Sequence, residues 1–270
     1  MITDLEFDNV RYLLQNILRL PDRKAKIFRV FPVSRLLQLF STRQLTLLPP
    51  EVWDDPFENV VLRHELFRFL KVRLYGQCWT ANQEETDALW RIYSPEKSGV
   101  RVRSTVEKLF FAIADIKEQF AFLKYWIGKV QYLSEGVLKA QLEDPAILQD
   151  FAVGRGAAGL VESLLIKRQE FLHENEVRLI FCAHAEYFDI AKPTVSFSID
   201  PNALFDEVLF DPRMPADLFQ SYRSVLSSLG FAGKVEQSAL YKIPNLDLKL
   251  PGWAPNPRLN RTRGLRPLAG

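Results

Sequence analysis

Acidic and basic side chains crowd one segment of the sequence, K-R-Q-E-F-L-H-E-N-E-V-R at residues 167–178, which we expect to be the functional centre. Its last part, the stretch H-E-N-E-V-R at residues 173–178, leads into an apolar run. If this stretch is a strand, period-two alternation puts Glu174, Glu176 and Arg178 on one face and apolar residues on the other. Neighbouring carboxylates repel, which raises the pKa of one, while the guanidinium favours ionisation of its neighbour. That arrangement suits acid–base chemistry or the orientation of a hydroxylated or cationic ligand. An exposed edge strand with cross-strand ion pairs is the alternative.

A second group of acids lies in the loop W-D-D-P-F-E, which starts at Trp53 and ends at Glu58. Proline restrains both itself and the residue before it, so Asp54 and Asp55 belong to a rigid turn. A turn that stops one element and caps the next helix explains most of these residues. It leaves unexplained why an indole stands directly before two carboxylates.

Aromatic residues follow the same pattern of clustering near polar turns. Trp79 and Thr80 end a predicted strand, and Trp90 and Tyr93 share one face of the predicted helix after it. Aromatic side chains at this spacing usually pack in a core. Their position beside polar turns also suits stacking on a planar ligand, so both interpretations stay open.

Arg29 interrupts the otherwise apolar stretch I-F-R-V-F near the N-terminus. An arginine in such a strand faces either solvent or a buried anion. The guanidinium recognises phosphate and carboxylate groups in a bidentate way, which makes Arg29 a candidate anion-binding residue.

The bulk composition is that of an ordinary globular protein, with 270 residues of which 47% are hydrophobic and 25% charged. The net charge of +2 gives no sign of a large nucleic-acid-binding surface. A basic C-terminal stretch is the exception, and it is either a solvated tail or a phosphate-contacting arm. Its arginines are Arg258, Arg261, Arg263 and Arg266.

Several absences in the sequence point to a soluble cytoplasmic protein. Cys78 and Cys182 lie in apolar stretches and are expected to be buried and reduced. The three histidines show no metal-ligand spacing, so no metal is expected. The N-terminus is acidic where a signal peptide is basic and then apolar, and no apolar run reaches the ~20 residues of a membrane span.

The order of periodic segments predicts an α+β fold, in which a mixed sheet of short strands carries helical insertions. We expect strands at residues 26–31, 74–80 and 176–183, and helices at 59–72, 82–93 and 105–123. One domain is predicted over residues 1–250, with an N-terminal helix within 1–20 packed on it, followed by a Pro- and Arg-rich tail over 251–270.

The motifs resemble, in their order, those of a bacterial family of unknown function, the domain-of-unknown-function family numbered 2971. The matching pieces are W-D-D-P-F-E, then C-W-T, L-W-R-I-Y and G-V-R-V, then V-Q-Y, and finally K-R with E-N-E-V-R-L-I. Together they cover about residues 26–210. This resemblance implies a fold and little biochemistry.

A more distant resemblance is to the R-S-E class of ADP-ribosyltransferases, which use NAD. It implies that Arg29 holds the NAD phosphate, Thr80 supports the nicotinamide ribose, and Glu176 is catalytic while Glu174 orients the acceptor. Trp79 or Trp90 would stack on the nicotinamide, with Tyr93 beside them. A carboxylate near the ribose stabilises oxocarbenium charge as nicotinamide leaves. Of the class's Ser-Thr-Ser only the last hydroxyl is kept, and Arg178 has no role in that mechanism.

Three functions therefore compete. The first is an NAD-dependent ADP-ribosyltransferase, such as a toxin or phage-defence effector, with a protein or nucleic-acid acceptor and an antitoxin or regulatory partner. The second is a non-catalytic module in which the acidic and aromatic cluster, including Trp53, binds a ligand or partner. The third is a metal-dependent nuclease that holds Mg²⁺ with acidic residues. Its candidate ligands are Asp54, Asp55, Glu58, Glu174 and Glu176.

Overall fold

The computed structural model describes residues 4–63, 70–118, 120–151 and 157–246. The chain divides into a compact unit, Met1–Leu240, and a second segment, Tyr241–Gly270, of which residues 241–246 are described. The predicted tail over 251–270 lies outside the described residues, and so does His64.

The described α-helices are short and are spread through the chain between the strands. Their bounds are Asp4–Leu13, Val33–Thr42, Val60–Arg63, Asp87–Tyr93, Val106–Ile113, Glu135–Glu143, Pro145–Gln149, Ala157–Ser163, Pro201–Leu204 and Ala216–Ser228. Short 3-10 helices add Pro50–Val52, Pro56–Asn59 and Gln169–Glu174 near the residues of interest.

The strands are also short, as predicted. They are β1 Ile17–Leu18, β2 Lys26–Pro32, β3 Gln44–Leu47, β4 Val72–Thr80, β5 Gly99–Thr105, β6 Tyr125–Lys129, β7 Gln131–Leu133, β8 Ile166–Arg168, β9 Glu176–His184, β10 Val195–Ser198, β11 Glu207–Phe210 and β12 Lys234–Gln237. This mixture of short strands and inserted helices confirms the predicted α+β class.

Within the described residues, one large sheet has eight strands in the order β1-β6-β9-β4-β2-β5-β11-β12. Each interior strand is antiparallel to its neighbours, from β6 through β9, β4, β2 and β5 to β11. The edge strands β1 and β12 pair parallel with β6 and β11. An antiparallel interior with a parallel pair at each edge makes this a mixed sheet.

The sheet is nearly split between β2 and β4. Among the described residues these strands pair at one position, Phe28 with Thr80. Further along, the edge of β4 instead exchanges two backbone hydrogen bonds between Gly76 and Leu48, of 2.7 and 3.1 Å. The strands therefore diverge beyond the Phe28–Thr80 bridge.

Strand β9 lies inside the sheet, between β6 and β4, and both of its faces are covered. Val177 and Leu179 join the larger hydrophobic cluster, whereas Ile180 and Cys182 join a second cluster on the opposite face. The alternative of an exposed edge strand is therefore wrong. So is the expectation that one face of this strand is open to a ligand.

Two predicted helices are shorter than expected, and a threonine caps the N-terminus of each. The helix predicted at 82–93 begins at Asp87, where Thr86 accepts a hydrogen bond from the Leu89 amide. The helix predicted at 105–123 ends at Ile113 after a similar cap by Thr105. In the helix predicted at 59–72, Val60–Arg63 is helical and β4 already begins at Val72.

The N-terminal helix Asp4–Leu13 contacts the sheet region through buried side chains near its end. Leu13 belongs to the larger core cluster, and the Asn9 amide donates to the carbonyls of Ile116 and Glu118. No helix in the described ranges is long and apolar enough to cross a membrane.

A glycine in β4 lets the loop after Leu48 lie flat on the sheet. A Cβ at Gly76 would stand 2.8 Å from the Trp53 ring and 3.3 Å from the Leu179 carbonyl oxygen. We expect Gly76→Ala to lower the free energy of unfolding by about 1–3 kcal/mol, the usual penalty of overpacking. Urea denaturation measures it. Gly136→Ala is the control, because nothing lies within 4 Å of a Cβ there; equal losses for the two variants would contradict this account.

Candidate functional site

An ion pair between Arg178 and Glu176 lies at the centre of the site. The two side chains project from the same face of β9, and Arg178 is 0% exposed while Glu176 is 4% exposed. Arg178 Nε donates to Glu176 Oε1 at 3.0 Å, and Nη2 donates to Oε2 at 2.7 Å. This bidentate geometry satisfies both carboxylate oxygens. A third guanidinium nitrogen donates to the Leu164 carbonyl.

Two residues from distant segments complete the buried network. Glu58, in the 3-10 helix Pro56–Asn59, accepts from Arg178 Nη2 at 2.7 Å and lies 2.9 Å from Lys167 Nζ. Lys167, in β8, also pairs with Glu174 and stands 3.4 Å from Glu176. Three carboxylates therefore face two cations. The loop, β8 and β9 are tied together by charge as well as by packing.

Opposing effects set the pKa values in this network. Burial pushes the pKa of Glu176 upward, but Arg178 and Lys167 outweigh burial and hold it below its ordinary value. Burial likewise works against the charge on Lys167 and Arg178, and the surrounding glutamates raise the pKa of both. The pKa of the Cys78 thiol is raised by burial and by Glu176. These directions favour the charged forms of Glu176, Lys167 and Arg178 near neutral pH.

Glu174 is not on the strand, contrary to the prediction that it shares a face with Glu176. It ends the 3-10 helix Gln169–Glu174, and Asn175 turns the chain into β9 with a left-handed φ of 47°. The Glu174 side chain keeps 17% exposure. Its carboxylate pairs with Lys167 and lies 3.4 Å from the hydroxyl of the exposed Tyr93. Of the two glutamates, Glu174 is the one a ligand can reach.

Thr80 sits at the end of β4 directly opposite Glu176, as Cα partners in the sheet. Its hydroxyl donates to the Glu174 carbonyl at 2.6 Å and accepts from the Asn82 amide at 3.1 Å. The side chain is buried, and it fixes the backbone that carries Glu174. The structure thus gives Thr80 a positional role at the site.

Arg29 lies one residue from the Phe28–Thr80 bridge. Alternation along β2 directs Phe28 to the face of Thr80 and Glu176, and Arg29 to the opposite face. Burial lowers the pKa of Arg29 to about 10, and the group that opposes this shift is the Cys78 thiol on β4. Among the described residues no carboxylate pairs with Arg29, whose guanidinium lies 5.3 Å from the Phe31 ring.

Trp79 and Trp90 are core residues, so the prediction that they stack on a ligand is wrong. Trp79 is 3% exposed, and its ring stacks on Phe205 with centroids 6.5 Å apart. Trp90 is fully buried and donates to Glu85 at 3.0 Å. Burying an indole against apolar neighbours is more favourable than leaving it beside a polar turn.

The W-D-D-P-F-E loop packs on the ion-pair network. The Trp53 ring lies against Arg178, with 4.6 Å from the guanidinium carbon to the ring. Asp55 caps the following 3-10 helix by accepting from the Phe57 amide, and it pairs with Arg168 at 3.1 Å. The loop therefore caps the following 3-10 helix, as expected, and it also packs on the ion-pair network.

The acids proposed for a metal site do not converge on an open position. Glu58, Glu174 and Glu176 surround the Lys167 ammonium, Asp55 is held by Arg168, and Asp54 is exposed. Within the described ranges, no group of three or more His, Cys, Asp and Glu side chains is arranged to hold a metal ion. A lysine already neutralises the carboxylates that a nuclease would use.

Sequence reasoning missed Lys167, Tyr132 and Arg101. Lys167 starts the K-R-Q-E segment, yet nothing in its spacing shows that it reaches back to Glu58. The Tyr132 hydroxyl accepts from the Glu176 amide at 2.8 Å. The G-V-R-V-R alternation could have shown that Arg101 shares a strand face with Arg103, but not that this face adjoins Thr80.

No protein-family model matches the chain, and no curated protein matches it significantly. The resemblance to the family numbered 2971 thus has no support from a family model. Solved structures that match include DarT of Thermus sp. 2.9 in complex with NAD+ and in complex with ADP-ribosylated ssDNA. Identity is 12% in both, over 80% of this chain and 96% and 95% of the other chains, with TM-scores of 0.35 and 0.36. Similarity at this level establishes no shared activity.

Replacing the two glutamates should separate their roles. Glu176→Gln leaves Arg178 without its bidentate partner in a buried site, and we expect a loss of about 3–5 kcal/mol in the free energy of unfolding. Glu174→Gln removes a partly exposed partner of a lysine that keeps Glu58 and Glu176, so the loss should be about 1 kcal/mol or less. Chemical denaturation at neutral pH compares them, and similar losses would show that the network does not depend on Glu176.

Proposed function

We propose that this chain is an ADP-ribosyltransferase that uses NAD, with its reaction at the exposed side of Glu174. The observation that carries the proposal is the order of three adjacent strands in the sheet, β2, β4 and β9. Phe28 pairs with Thr80, and Thr80 pairs with Glu176, so the strands that carry Arg29, Thr80 and the E-N-E segment are neighbours in the sheet, with the Arg29 side chain on the opposite face from Thr80. This order of arginine, hydroxyl and glutamate strands is the one implied by the resemblance.

Arg29 supports the proposal through its unbalanced charge. A desolvated guanidinium is destabilising unless an anion accompanies it. Arg29 has no carboxylate partner among the described residues, while its burial lowers its pKa. The diphosphate of NAD would supply the missing anion, and arginine binds phosphate in a bidentate way.

Glu174 takes the reactive role that the resemblance gave to Glu176. In the proposed reaction the bond between ribose C1′ and the nicotinamide nitrogen breaks, and nicotinamide leaves with the bonding electrons. The Glu174 carboxylate stabilises the developing oxocarbenium charge. An oxygen or nitrogen of the acceptor then bonds to C1′, and its proton passes to the carboxylate. The Tyr93 hydroxyl, beside Glu174, would contact the ribose or the acceptor.

Glu176 would hold the site together without touching the ligand. Both of its oxygens accept hydrogen bonds from Arg178, and it is almost fully buried. Its charge also fixes Lys167, which in turn pairs with Glu174. A transferase of this kind could serve as a toxin or phage-defence effector controlled by an antitoxin or regulatory partner.

A non-catalytic binding module is the second candidate, favoured by the full engagement of Glu176. In that case the gap beside Arg29 binds an anionic ligand and no bond is broken. The two functions differ in one respect that can be measured, because only the transferase releases nicotinamide. Both require an intact Arg29.

NAD should stabilise the protein through Arg29. At a hundredfold excess over Kd, binding adds about 2.7 kcal/mol to the free energy of unfolding. We expect that increment, measured by urea denaturation with and without NAD, to disappear in Arg29→Ala. Arg23→Ala is the matched control, because Arg23 is exposed and its nearest carboxylate is 4.0 Å away. An undiminished increment in Arg29→Ala would remove Arg29 from the binding site.

Transfer should depend on Glu174 while folding does not. With labelled NAD we expect wild-type protein to release nicotinamide and label an acceptor, and Glu174→Gln to lose at least about a hundredfold in rate, the lower range for a positioned catalytic group. Single-stranded DNA and cell-lysate protein are offered separately to identify the acceptor class. NAD binding without nicotinamide release in wild-type protein would favour the non-catalytic module. Unchanged release by folded Glu174→Gln would exclude Glu174.

A further inference from the structure

Arg101 on β5 shares a sheet face with Thr80 and Glu176, unlike Arg29. It pairs with Val30, whereas Arg103 pairs with Phe28, and alternation puts both arginines on the Phe28 side. Its guanidinium lies 3.7 Å from the Phe28 ring centroid. Phe28 is the residue that joins β2 to Thr80, so Arg101 stands beside the bridge between the two halves of the sheet.

The guanidinium of Arg101 holds the chain that leaves β4. Nη2 donates to the Asn82 carbonyl at 2.9 Å and to the Gln83 carbonyl at 2.6 Å. Arg101 is 6% exposed, and burial lowers its pKa. Its Nε has no hydrogen-bond partner among the described residues. Because this buried guanidinium donates hydrogen bonds to two backbone carbonyls, it fixes the loop against the sheet.

That loop in turn holds the backbone around Glu174. The Asn82 side-chain amide donates to the His173 carbonyl at 2.7 Å, and its oxygen accepts from Asn175 at 3.0 Å. The Ala81 amide donates to the Asn175 carbonyl at 2.9 Å. The connection therefore runs from Arg101 to residues 81–83 and then to residues 173–175.

Direct contact between Arg101 and a phosphate is disfavoured by its neighbours. Glu85, Glu207 and Glu84 are the acids that act on it, and each favours the charged guanidinium while repelling an anion. In the described part of the chain, no acid contributes to the pKa shift of Arg29. The two arginines on either side of β2 thus differ in electrostatic surroundings.

We infer that Arg101 is the positioning residue for Glu174. It acts through the backbone of the loop and touches neither ligand nor reacting atoms. The inference rests on the proposed function only in giving Glu174 a reaction to perform. Its structural part, the mechanical link from Arg101 to residues 173–175, is independent of NAD.

Arg101→Met tests the link, because methionine keeps the packing on Phe28 and removes the donors. We expect amide hydrogen exchange to become about tenfold faster or more at Ala81 and in residues 172–175, the factor expected for losing a hydrogen bond from a charged donor. Arg103→Met is the matched control. Arg103 lies on the same strand and face but pairs with Glu207 at 2.5 Å, and among the described residues its side chain makes no hydrogen bond to residues 81–83.

Nicotinamide release then separates positioning from binding. Arg101→Met should lower kcat about tenfold and leave KM for NAD unchanged, while Arg103→Met changes neither. A raised KM with unchanged kcat would overturn the inference in favour of direct ligand contact. Exchange in residues 172–175 that matches the control would also overturn it. Faster exchange with no NAD consumption by wild-type protein would keep the link and contradict only the proposed function.

Asn82→Ala keeps the test decisive if Arg101→Met does not fold. This variant removes the side-chain bonds to His173 and Asn175 but leaves the carbonyls that Arg101 binds. We expect faster exchange in residues 172–175 and the same loss in kcat. Unchanged exchange and kcat would show that the loop does not position Glu174.

Discussion

The buried contact between Arg178 and Glu176 is the interaction on which the other features of the site depend. Two charges removed from water are destabilising unless nearly every donor and acceptor is satisfied. Here Glu58, Lys167 and the Leu164 carbonyl complete that requirement. The loop carrying Glu58 must therefore lie on the sheet, which places Trp53 over Arg178 and explains why β4 has glycine at position 76 beneath the indole.

The same network separates two glutamates that are two positions apart in the sequence. Asn175, in a left-handed conformation, ends the 3-10 helix and starts β9. The turn sends Glu176 into the interior and leaves Glu174 at the surface, while Lys167 bonds to both. Burial thus fixes one carboxylate as part of the framework, and the framework holds the other where a ligand can approach it. A framework of rigid strands is the setting in which a reactive group is positioned accurately.

Sequence periodicity predicted β2, β4 and β9 to within a residue or two and located the charged centre correctly, because strand propensity and charge density are local properties. It failed where the outcome depends on partners distant in sequence. Alternation alone made the Glu176 side of β9 a solvent face, yet Glu58 and Lys167 cover it. The helix expected at 82–93 lost its first turn because Arg101 and Thr86 bind its backbone. Neither contact has a signal in the spacing of residues.

The two arginines on opposite faces of the sheet near the divergence of β2 and β4, Arg29 and Arg101, have different electrostatic surroundings. On one side of β2, Arg101 donates hydrogen bonds to the carbonyls of Asn82 and Gln83, and Glu85, Glu207 and Glu84 favour its charged form. On the other side, burial acts on Arg29 with no described carboxylate to offset it. A guanidinium partly withdrawn from water without an anion destabilises the folded chain, so an anion that binds beside it would raise the stability of the folded state. If the proposed anion binds beside Arg29, the divergence of β2 and β4 is where ligand binding and folding stability would be coupled, and the partly exposed Glu174 lies next to β9, two strands away.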